Sequence, residues 1–194
     1  MAILGATGSG KSTFFKRELQ RLAPRRLLIW DPMHEYPGQA TDRVTDILAA
    51  MREPAFSAVF HPSADPKIRE VQFSLVCRAA LAAGNLTLGV EELRFVTTPG
   101  RAPLGWAQVC MTGRHKGLTV YGLTQRPASI DKDFLGNCNR IRCGRLTYPE
   151  DVKAVAKAMR LNPAELQRLD GLAPLEFIEV DLNTMKRKWG SLTF

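Results

Sequence analysis

The stretch GATGSGKS, from Gly5 to Ser12, determines the fold class of this chain. It fits the pattern G-x-x-x-x-G-K-[ST], in which glycines allow positive φ angles and let the backbone approach phosphate oxygens closely. Backbone N–H groups at the start of the following helix favour negative charge. The residues predicted to line this phosphate site are Gly5, Ala6, Thr7, Gly8, Ser9, Gly10, Lys11, Ser12 and Thr13.

The residues on either side of the loop support this prediction. MAIL, which precedes it, is typical of a short buried strand, and STFFKRELQRL, which follows it, has the apolar spacing of a helix. The apolar side of that helix is predicted to carry Phe14, Phe15, Leu19 and Leu22. In a loop of this type, Lys11 is predicted to reach the β- and γ-phosphates of the nucleotide, and Ser12 to bind Mg²⁺.

Farther along the chain, apolar runs alternate with segments of helical period. This alternation indicates an α/β protein whose mostly parallel sheet is covered by helices on both faces. The later strands are predicted in RRLLIWD, AFSAVFH, NLTLGVEE, LTVYGLTQ, NRIRCGRL, LEFIEVDL and MKRKWGSLTF. The later helices are predicted in TDRVTDILAAMRE, PKIREVQFSLVCRAALAAG, LGWAQVCMTGRHKG, PEDVKAVAKAM and NPAELQRL.

Two expectations follow for the organisation of the chain. The helix that begins near position 66 has helical spacing of its apolar residues and is predicted to stop at Gly84. Its predicted apolar face consists of Ile68, Val71, Leu75, Val76 and Ala79. No linker interrupts the pattern, so residues 1–194 are predicted to form a single domain.

The composition favours an anionic partner. The chain has 27 Lys and Arg against 19 Asp and Glu, a net charge of +8, although nucleotide binding or a solvated basic face is also compatible with it. No apolar run could span a membrane, so the sequence predicts no membrane segment. Cys77, Cys110, Cys138 and Cys143 lack metal-type spacing and are predicted to be reduced and structural, as in a cytosolic protein.

An acidic pair, Glu91 and Glu92, ends the predicted strand NLTLGVEE. A phosphate-binding loop needs a carboxylate on a neighbouring strand to complete the metal site and to activate water. We predict that Glu91 takes the position beside Mg²⁺ and that Glu92 is the general base. Aspartate is usual at the first position, so the longer Glu91 must sit back to make the same contact. The alternative is a surface acidic pair.

Polar residues also end the strand LTVYGLTQ. Gln125 is predicted to hydrogen-bond the γ-phosphate or the attacking water. Arg126 is predicted to stabilise charge on the phosphates or to contact a neighbouring subunit. A turn forced by Pro127 is the alternative explanation of this segment.

The segment DPMHEYPG follows the second predicted strand. Ligands of open α/β sheets bind beyond the carboxyl ends of the strands, so Asp31 and Glu35 are predicted to face the nucleotide. His34 is expected to be an exposed loop histidine.

These elements, in this order, resemble the FtsK/HerA superfamily of P-loop ATPases that pump DNA. The resemblance covers roughly residues 1 to 160 and rests on GATGSGKS, LLIWDPMHEYPG, LGVEE, GRHKGLTVYGLTQRP and NCNRIRCGRL. D-P-x-x-E-Y and T-Q-R-P are its specific elements, because they separate this group from kinases and GTPases with the same loop. The sequence looks most like the viral genome-packaging branch and the ATPase domain of zonula-occludens-toxin-like phage assembly proteins.

The resemblance implies a RecA-like ATPase that uses ATP and Mg²⁺ to move double-stranded DNA, most simply into a viral capsid. It implies a Walker A motif at Gly5–Ser12, a Walker B motif ending at Glu91 and Glu92, and a sensor at Gln125. It also implies a homo-oligomeric ring, a hexamer or a pentamer, in the host cytoplasm or associated with the virion. A capsid or portal-vertex protein is the implied docking partner.

An arginine that acts on a neighbouring subunit is implied as well. Arg114 in GRHKG is the first choice and Arg126 the second, although a basic helix cap explains Arg114 equally well. Sequence-independent DNA contacts are predicted in two places. These candidates are Arg94 and Arg101 after the acidic pair, and Lys67 and Arg69 before it.

Three other functions stay open. A filamentous-phage assembly ATPase would keep the chemistry and change the cargo. A small nucleotide or metabolite kinase would need an acceptor pocket, and DPMHEY and TQRP argue against it. A scaffold that binds ATP without hydrolysis is the third, because Glu91 stands where aspartate is usual.

Overall fold

The apolar runs of the sequence form one sheet in a computed structural model that describes residues 1–193. The strands are β1 (Ala2–Leu4), β2 (Arg26–Trp30), β3 (Gln39–Thr41), β4 (Phe56–Phe60), β5 (Thr87–Val90), β6 (Thr119–Thr124), β7 (Arg140–Gly144), β8 (Glu176–Asp181) and β9 (Arg187–Ser191). Their order across the sheet is β3-β4-β2-β5-β6-β1-β7-β8-β9. The pairs from β3 to β7 are parallel, and β7-β8 and β8-β9 are antiparallel.

Helices follow most of the strands. They are α1 (Lys11–Leu22), α2 (Val44–Ala50), α3 (Pro66–Ala83), α4 (Leu104–Thr112), α5 (Lys132–Asn137), α6 (Pro149–Met159) and α7 (Pro163–Asp170). Proline begins α3, α6 and α7, where its missing N–H would have no partner within the helix. The Asp65 side chain caps α3 by accepting from the N–H groups of Lys67 and Ile68. Local chemistry therefore fixes several helix starts.

The predicted α/β class, with a mostly parallel sheet, is confirmed, and the two faces of the sheet are covered unequally. Residues of α2 to α7 join the core on one face, where Trp30, Phe73 and Trp106 are fully buried. On the other face α1 inserts Phe15 among the side chains of β1, β2 and β6. The central strands are therefore covered by a hydrophobic core on both faces of the sheet, as expected for parallel strands.

Some predicted details were wrong. In α3, Ile68, Val71 and Leu75 are 52%, 60% and 44% exposed, while Phe73, Val76, Cys77 and Ala80 are buried. The helix turns toward α4 and the sheet with the face that carries Phe73, so the longer aliphatic stripe points outward. Leu22, predicted on the apolar side of α1, is 40% exposed. The short elements β3 and α5 were not predicted.

The remaining general predictions concern cysteines and membrane segments. All four cysteines are free thiols; Cys77, Cys138 and Cys143 are buried, and Cys110 is partly so. Burial raises the pKa of the Cys77 and Cys143 thiols, which keeps them protonated. Within residues 1–193, no helix is long and apolar enough to cross a bilayer.

Candidate active site

The phosphate-binding loop connects the carboxyl end of β1 to α1. Gly5, Gly8 and Gly10 have φ angles of 145°, 75° and 84°, a region that L side chains rarely adopt. The loop is tied to the strand beside it, because the Ala6 N–H donates to the Arg145 carbonyl at 2.8 Å. A Cβ on Gly10 would lie 2.7 Å from Leu192 Cδ2, so that leucine would have to move, and the φ angle of Gly10 disfavours a side chain in any case. The backbone thus has the shape that a phosphate cradle requires.

Lys11 is buried at the first position of α1 although it is charged. Among the described residues its Nζ has one hydrogen-bond partner, the Ala6 carbonyl at 3.3 Å. Burial lowers the pKa of Lys11, and the nearby carboxylates Glu92, Glu91 and Glu35 act against that shift. A buried ammonium with so few partners is expected to bind an anion.

Glu91 lies at the carboxyl end of β5 and faces the first turn of α1. The Ser12 hydroxyl donates to Glu91 Oε1 at 3.1 Å, and the Tyr36 hydroxyl donates to the same oxygen at 2.5 Å. Burial raises the pKa of Glu91, while these two hydrogen bonds lower it. Tyr36 comes from the loop after β2 and Ser12 from the first turn of α1, so a loop and a helix hold this carboxylate at the end of β5. Glu91 Oε1 thus lies beside Ser12 despite the greater length of its side chain, and the role of Glu91 beside Mg²⁺ stays a prediction.

Glu92 follows directly and has a very different environment. Its backbone is left-handed, with φ 47° and ψ 57°, which is rare for a residue other than glycine, asparagine or aspartate. Gln125 Nε2 donates to Glu92 Oε1 at 2.8 Å. Thr7 Oγ1 in turn donates to Gln125 Oε1 at 2.8 Å. Gln125 therefore connects the phosphate-binding loop to the second acidic residue.

Arg126 is held within its own chain. Its Nε donates to Asp151 Oδ2 at 2.7 Å, and its guanidinium lies 3.9 Å from the centre of the Tyr148 ring. Asp151 is buried at the start of α6 and also accepts from the Ala128 N–H. Contact with a neighbouring subunit would require Arg126 to leave this ion pair.

Arg114 lies at the opposite edge of the sheet. It is exposed in a 3₁₀ turn, Gly113–Lys116, that precedes the amino end of β6. The phosphate-binding loop follows the carboxyl end of β1, which is parallel to β6. A strand of six residues, about 20 Å long, therefore separates Arg114 from Gln125. Arg114 cannot reach the phosphate site of its own chain, and its action on a neighbour stays a prediction.

The loop after β2 is organised by Asp31. This fully buried carboxylate accepts from the N–H groups of Met33 at 3.2 Å and Tyr36 at 2.9 Å. Asp31 thus shapes the loop that delivers Tyr36 to Glu91. Glu35 is exposed, and its negative charge acts on Lys11 and Glu91. His34 is exposed, as expected, and stacks on His61 with ring centres 3.8 Å apart.

The donor set fits a magnesium nucleotide. Mg²⁺ takes oxygen ligands, usually one or two carboxylates together with substrate phosphates, and Ser12 Oγ and Glu91 Oε1 lie side by side at the start of α1. Ser9 Oγ in the loop is buried without a hydrogen-bond partner in the described part of the chain, so it too is open to a ligand. Bound there, the ion would neutralise charge on the phosphates.

Comparisons with known proteins identify the fold. No protein-family model matches the chain. Protein P9 of Pseudoalteromonas phage PM2 is 28% identical over 174 residues, which cover 88% of this chain and 79% of that protein. The genome packaging NTPase B204 of Sulfolobus turreted icosahedral virus 2, solved with AMPPCP, has a TM-score of 0.80 at 18% identity, over 100% of this chain and 97% of that one. The chain shares the fold of B204.

This likeness confirms the resemblance predicted from the sequence. The N-terminal domain of zonular occludens toxin from Neisseria meningitidis is also similar, with a TM-score of 0.51 at 13% identity, over 99% of this chain and 93% of that one. The likeness to B204 is therefore greater than the likeness to the toxin domain.

Two residues of the candidate site were missed from the sequence. Tyr36 was quoted within DPMHEYPG without a role, and it donates to Glu91. Arg94 was expected to contact DNA, and its Nε lies 3.4 Å from Glu92 Oε2. The tyrosine in D-P-x-x-E-Y was a usable signal for the first contact. No sequence signal pointed to the second.

Proposed function

We propose that this chain hydrolyses ATP with Mg²⁺ and couples hydrolysis to the movement of double-stranded DNA into a viral capsid. One observation carries the proposal: the segments that follow three adjacent strands, β1, β5 and β6, bring five residues together at one edge of the sheet. These residues are Lys11, Ser12, Glu91, Glu92 and Gln125. This is the set of groups that phosphoryl transfer to water requires. The likeness to B204, a genome packaging NTPase, supports the choice of cargo.

Each residue has a role that follows from its position. The N–H groups of the loop and the Lys11 ammonium bind the phosphates. Ser12 and Glu91 hold Mg²⁺, and Tyr36 fixes the orientation of Glu91. Glu92 orients the attacking water and accepts its proton. Gln125 senses the γ-phosphate and links the phosphate-binding loop to Glu92 through its hydrogen bonds.

The assembly is part of the proposal. A homo-oligomeric ring, a hexamer or a pentamer, would surround the DNA, with Arg114 of one subunit directed at the nucleotide of the next. Arg126 is the second candidate for that role. The net charge of +8 suits contacts to DNA phosphates that do not depend on sequence. We place the motor in the host cytoplasm or on the virion, docked to a capsid or portal-vertex protein.

The first test is phosphate release with Mg²⁺ and duplex DNA but without any acceptor. Release should occur in the parent and be absent in Lys11→Ala, which should also fail to bind nucleotide. Phosphorylation of a small acceptor would instead support a kinase, and nucleotide binding without release would support a scaffold.

DNA binding provides the second test. The logarithm of the affinity should fall linearly with the logarithm of the salt concentration, with a slope of about −0.9 for each phosphate neutralised. Displacement of a third strand from a triplex, dependent on ATP, would report translocation directly. Salt-independent binding, or a strong preference for one sequence, would contradict the proposal.

A further inference from the structure

The loop that delivers Tyr36 to Glu91 contains a residue in an uncommon backbone conformation. His34 has a φ angle of 57°, in the left-handed region that L side chains seldom adopt. A conformation of this kind persists only where the surroundings hold it. His34 is exposed, so the hydrophobic core does not impose the turn. The support must come from a neighbour at the surface.

His61, directly after β4, is that neighbour. The centres of the His34 and His61 rings lie 3.8 Å apart with 7° between the planes, so the rings stack face to face. His61 is fixed in place, because its N–H donates to the Thr41 carbonyl at 2.9 Å and its side chain is only 24% exposed. Its Nε2 has no hydrogen bond within residues 1–193 and lies 3.9 Å from Asp31 Oδ2. His61 therefore offers a fixed flat surface to a loop residue that needs support.

Asp31 connects the two sides of the turn at His34. Its N–H donates to the Phe60 carbonyl at 2.9 Å, which ties Asp31 to the end of β4. Its carboxylate accepts from the N–H of Met33, just before the turn, and from the N–H of Tyr36, just after it. A right-handed or extended residue at position 34 would redirect the chain between these two donors. Both hydrogen bonds thus depend on the left-handed turn.

We propose that His61 is a positioning residue for the candidate metal site. Its ring stabilises the left-handed turn at His34, and the turn keeps the Tyr36 hydroxyl on Glu91. The inference rests on the proposed function, in which Ser12 and Glu91 hold Mg²⁺. Without the ring the turn is less populated, the tyrosine hydroxyl is displaced, and the carboxylate adopts orientations that do not suit the ion. Metal binding weakens, while binding of the nucleotide alone does not change.

Metal affinity measures this effect without hydrolysis. In His61→Ala, the concentration of Mn²⁺ at half saturation, followed by electron paramagnetic resonance with ADP present, should rise about two- to tenfold. That range lies at or below the lower limit for a group that supports a metal ligand directly. His61→Phe retains a flat ring for the stack and should restore most of the affinity. His115→Ala, which removes an exposed histidine from the turn before β6, is the matched control and should bind Mn²⁺ like the parent.

Two double variants test the path from the stack to the metal. Asparagine adopts left-handed conformations without a stacking partner, so His61→Ala should have no further effect in a His34→Asn background. In a Tyr36→Phe background the hydroxyl is already absent, and His61→Ala should again leave the Mn²⁺ affinity unchanged. A general structural role of His61 predicts the same loss in the parent and in both backgrounds.

Equal Mn²⁺ affinity in His61→Ala and the parent would overturn the inference, and so would a loss that persists in the Tyr36→Phe background. If His61→Ala does not fold, His61→Leu replaces it, because leucine fills space without a flat ring to stack. Equal affinities of His61→Leu and His61→Phe would likewise contradict the role of the stack. A parent that binds ADP but no Mn²⁺ would instead contradict the proposed function.

Discussion

The two ends of the parallel strands differ in how their charged side chains find partners. We call the side of the sheet where these strands begin the amino edge and the side where they end the carboxyl edge. At the amino edge, Arg26 Nη2 donates to the Met51 carbonyl and Nη1 to the Gly84 carbonyl, at 2.7 Å each, where α2 and α3 end. At the carboxyl edge, Lys11 is buried with one carbonyl partner among the described residues, and Glu92 has a buried oxygen without a hydrogen bond. The amino edge uses charge to close helix ends. The carboxyl edge keeps an ammonium and a carboxylate with unused hydrogen-bonding capacity beside the phosphate-binding loop, where a ligand can use it.

The largest expected effect joins the two edges across a ring interface. If Arg114 reaches a neighbour's nucleotide, it offsets charge that builds on the γ-phosphate, an effect worth about 10³ to 10⁵ in rate. Arg114→Ala should bind ATP nearly normally and hydrolyse it poorly. Because the charge acts in trans, mixing Arg114→Ala with Glu92→Gln should restore part of the phosphate release, since some interfaces then combine an intact arginine with an intact glutamate.

Lys116→Ala, in the same exposed turn, is the control for the loss of a positive charge. No gain on mixing, with subunit exchange shown independently, would transfer the role to Arg126 or remove it.

The next effect is confined to the carboxyl edge. Glu92→Gln should retain ATP binding and lose about 10² to 10⁴ in rate, because the amide cannot accept the proton of the attacking water. Single-turnover phosphate release and fluorescent-nucleotide binding measure the two properties separately. Similar release by Glu92→Gln and the parent would exclude Glu92 as the general base.

A smaller effect is expected on metal binding. Tyr36→Phe removes the hydroxyl that holds Glu91, and groups that support a metal ligand in this way typically contribute about tenfold or more to metal affinity. The concentration of Mn²⁺ at half saturation, followed by electron paramagnetic resonance in the presence of ADP, should rise. Tyr148→Phe, which changes a half-exposed tyrosine on Arg126, is the matched control. Equal metal affinity in the two variants would show that Tyr36 does not position Glu91.

The smallest effect belongs to the amino edge. Arg26→Ala should lower the free energy of unfolding by about 1 to 3 kcal/mol, because buried carbonyls at two helix ends lose their donors. Nucleotide affinity should not change, since this edge does not contact the phosphate site. Urea denaturation measures the first property, and Arg25→Ala, an exposed neighbour, controls for the loss of charge. Weaker nucleotide binding in Arg26→Ala would mean that the two edges are coupled.

The sequence predicted the fold best where local chemistry decides. α6 begins at Pro149 and ends at Met159, as predicted, because a proline start and a clear apolar period mark it. The prediction failed for α3, since its stripe of Ile68, Val71 and Leu75 competes with a second face of similar apolar character. Only packing against α4 and the sheet selects between them, and that choice is tertiary. β3 and α5, with three and six residues, are too short to have a recognisable period.

In the candidate site, too, features set by local sequence could be predicted and features set by tertiary contacts could not. Lys11, Ser12 and Glu91 could be predicted because a motif fixes their spacing or because they end a buried strand. The contacts of Tyr36 with Glu91 and of Arg94 with Glu92 depend on how loops fold back, which no local pattern encodes. Arg126 illustrates the reverse case: T-Q-R-P marked it for the phosphates, and its partner is Asp151 in α6.

The left-handed backbone of Glu92 reverses an ordinary rule of substitution. Alanine is normally more stabilising than glycine, because glycine leaves the unfolded chain more conformational freedom. At a positive φ the order changes, since only alanine retains a Cβ in an unfavourable region. Glu92→Gly should therefore melt at a higher temperature than Glu92→Ala, although neither can activate water. At position 92 the residue that the backbone conformation prefers and the residue that hydrolysis requires are different.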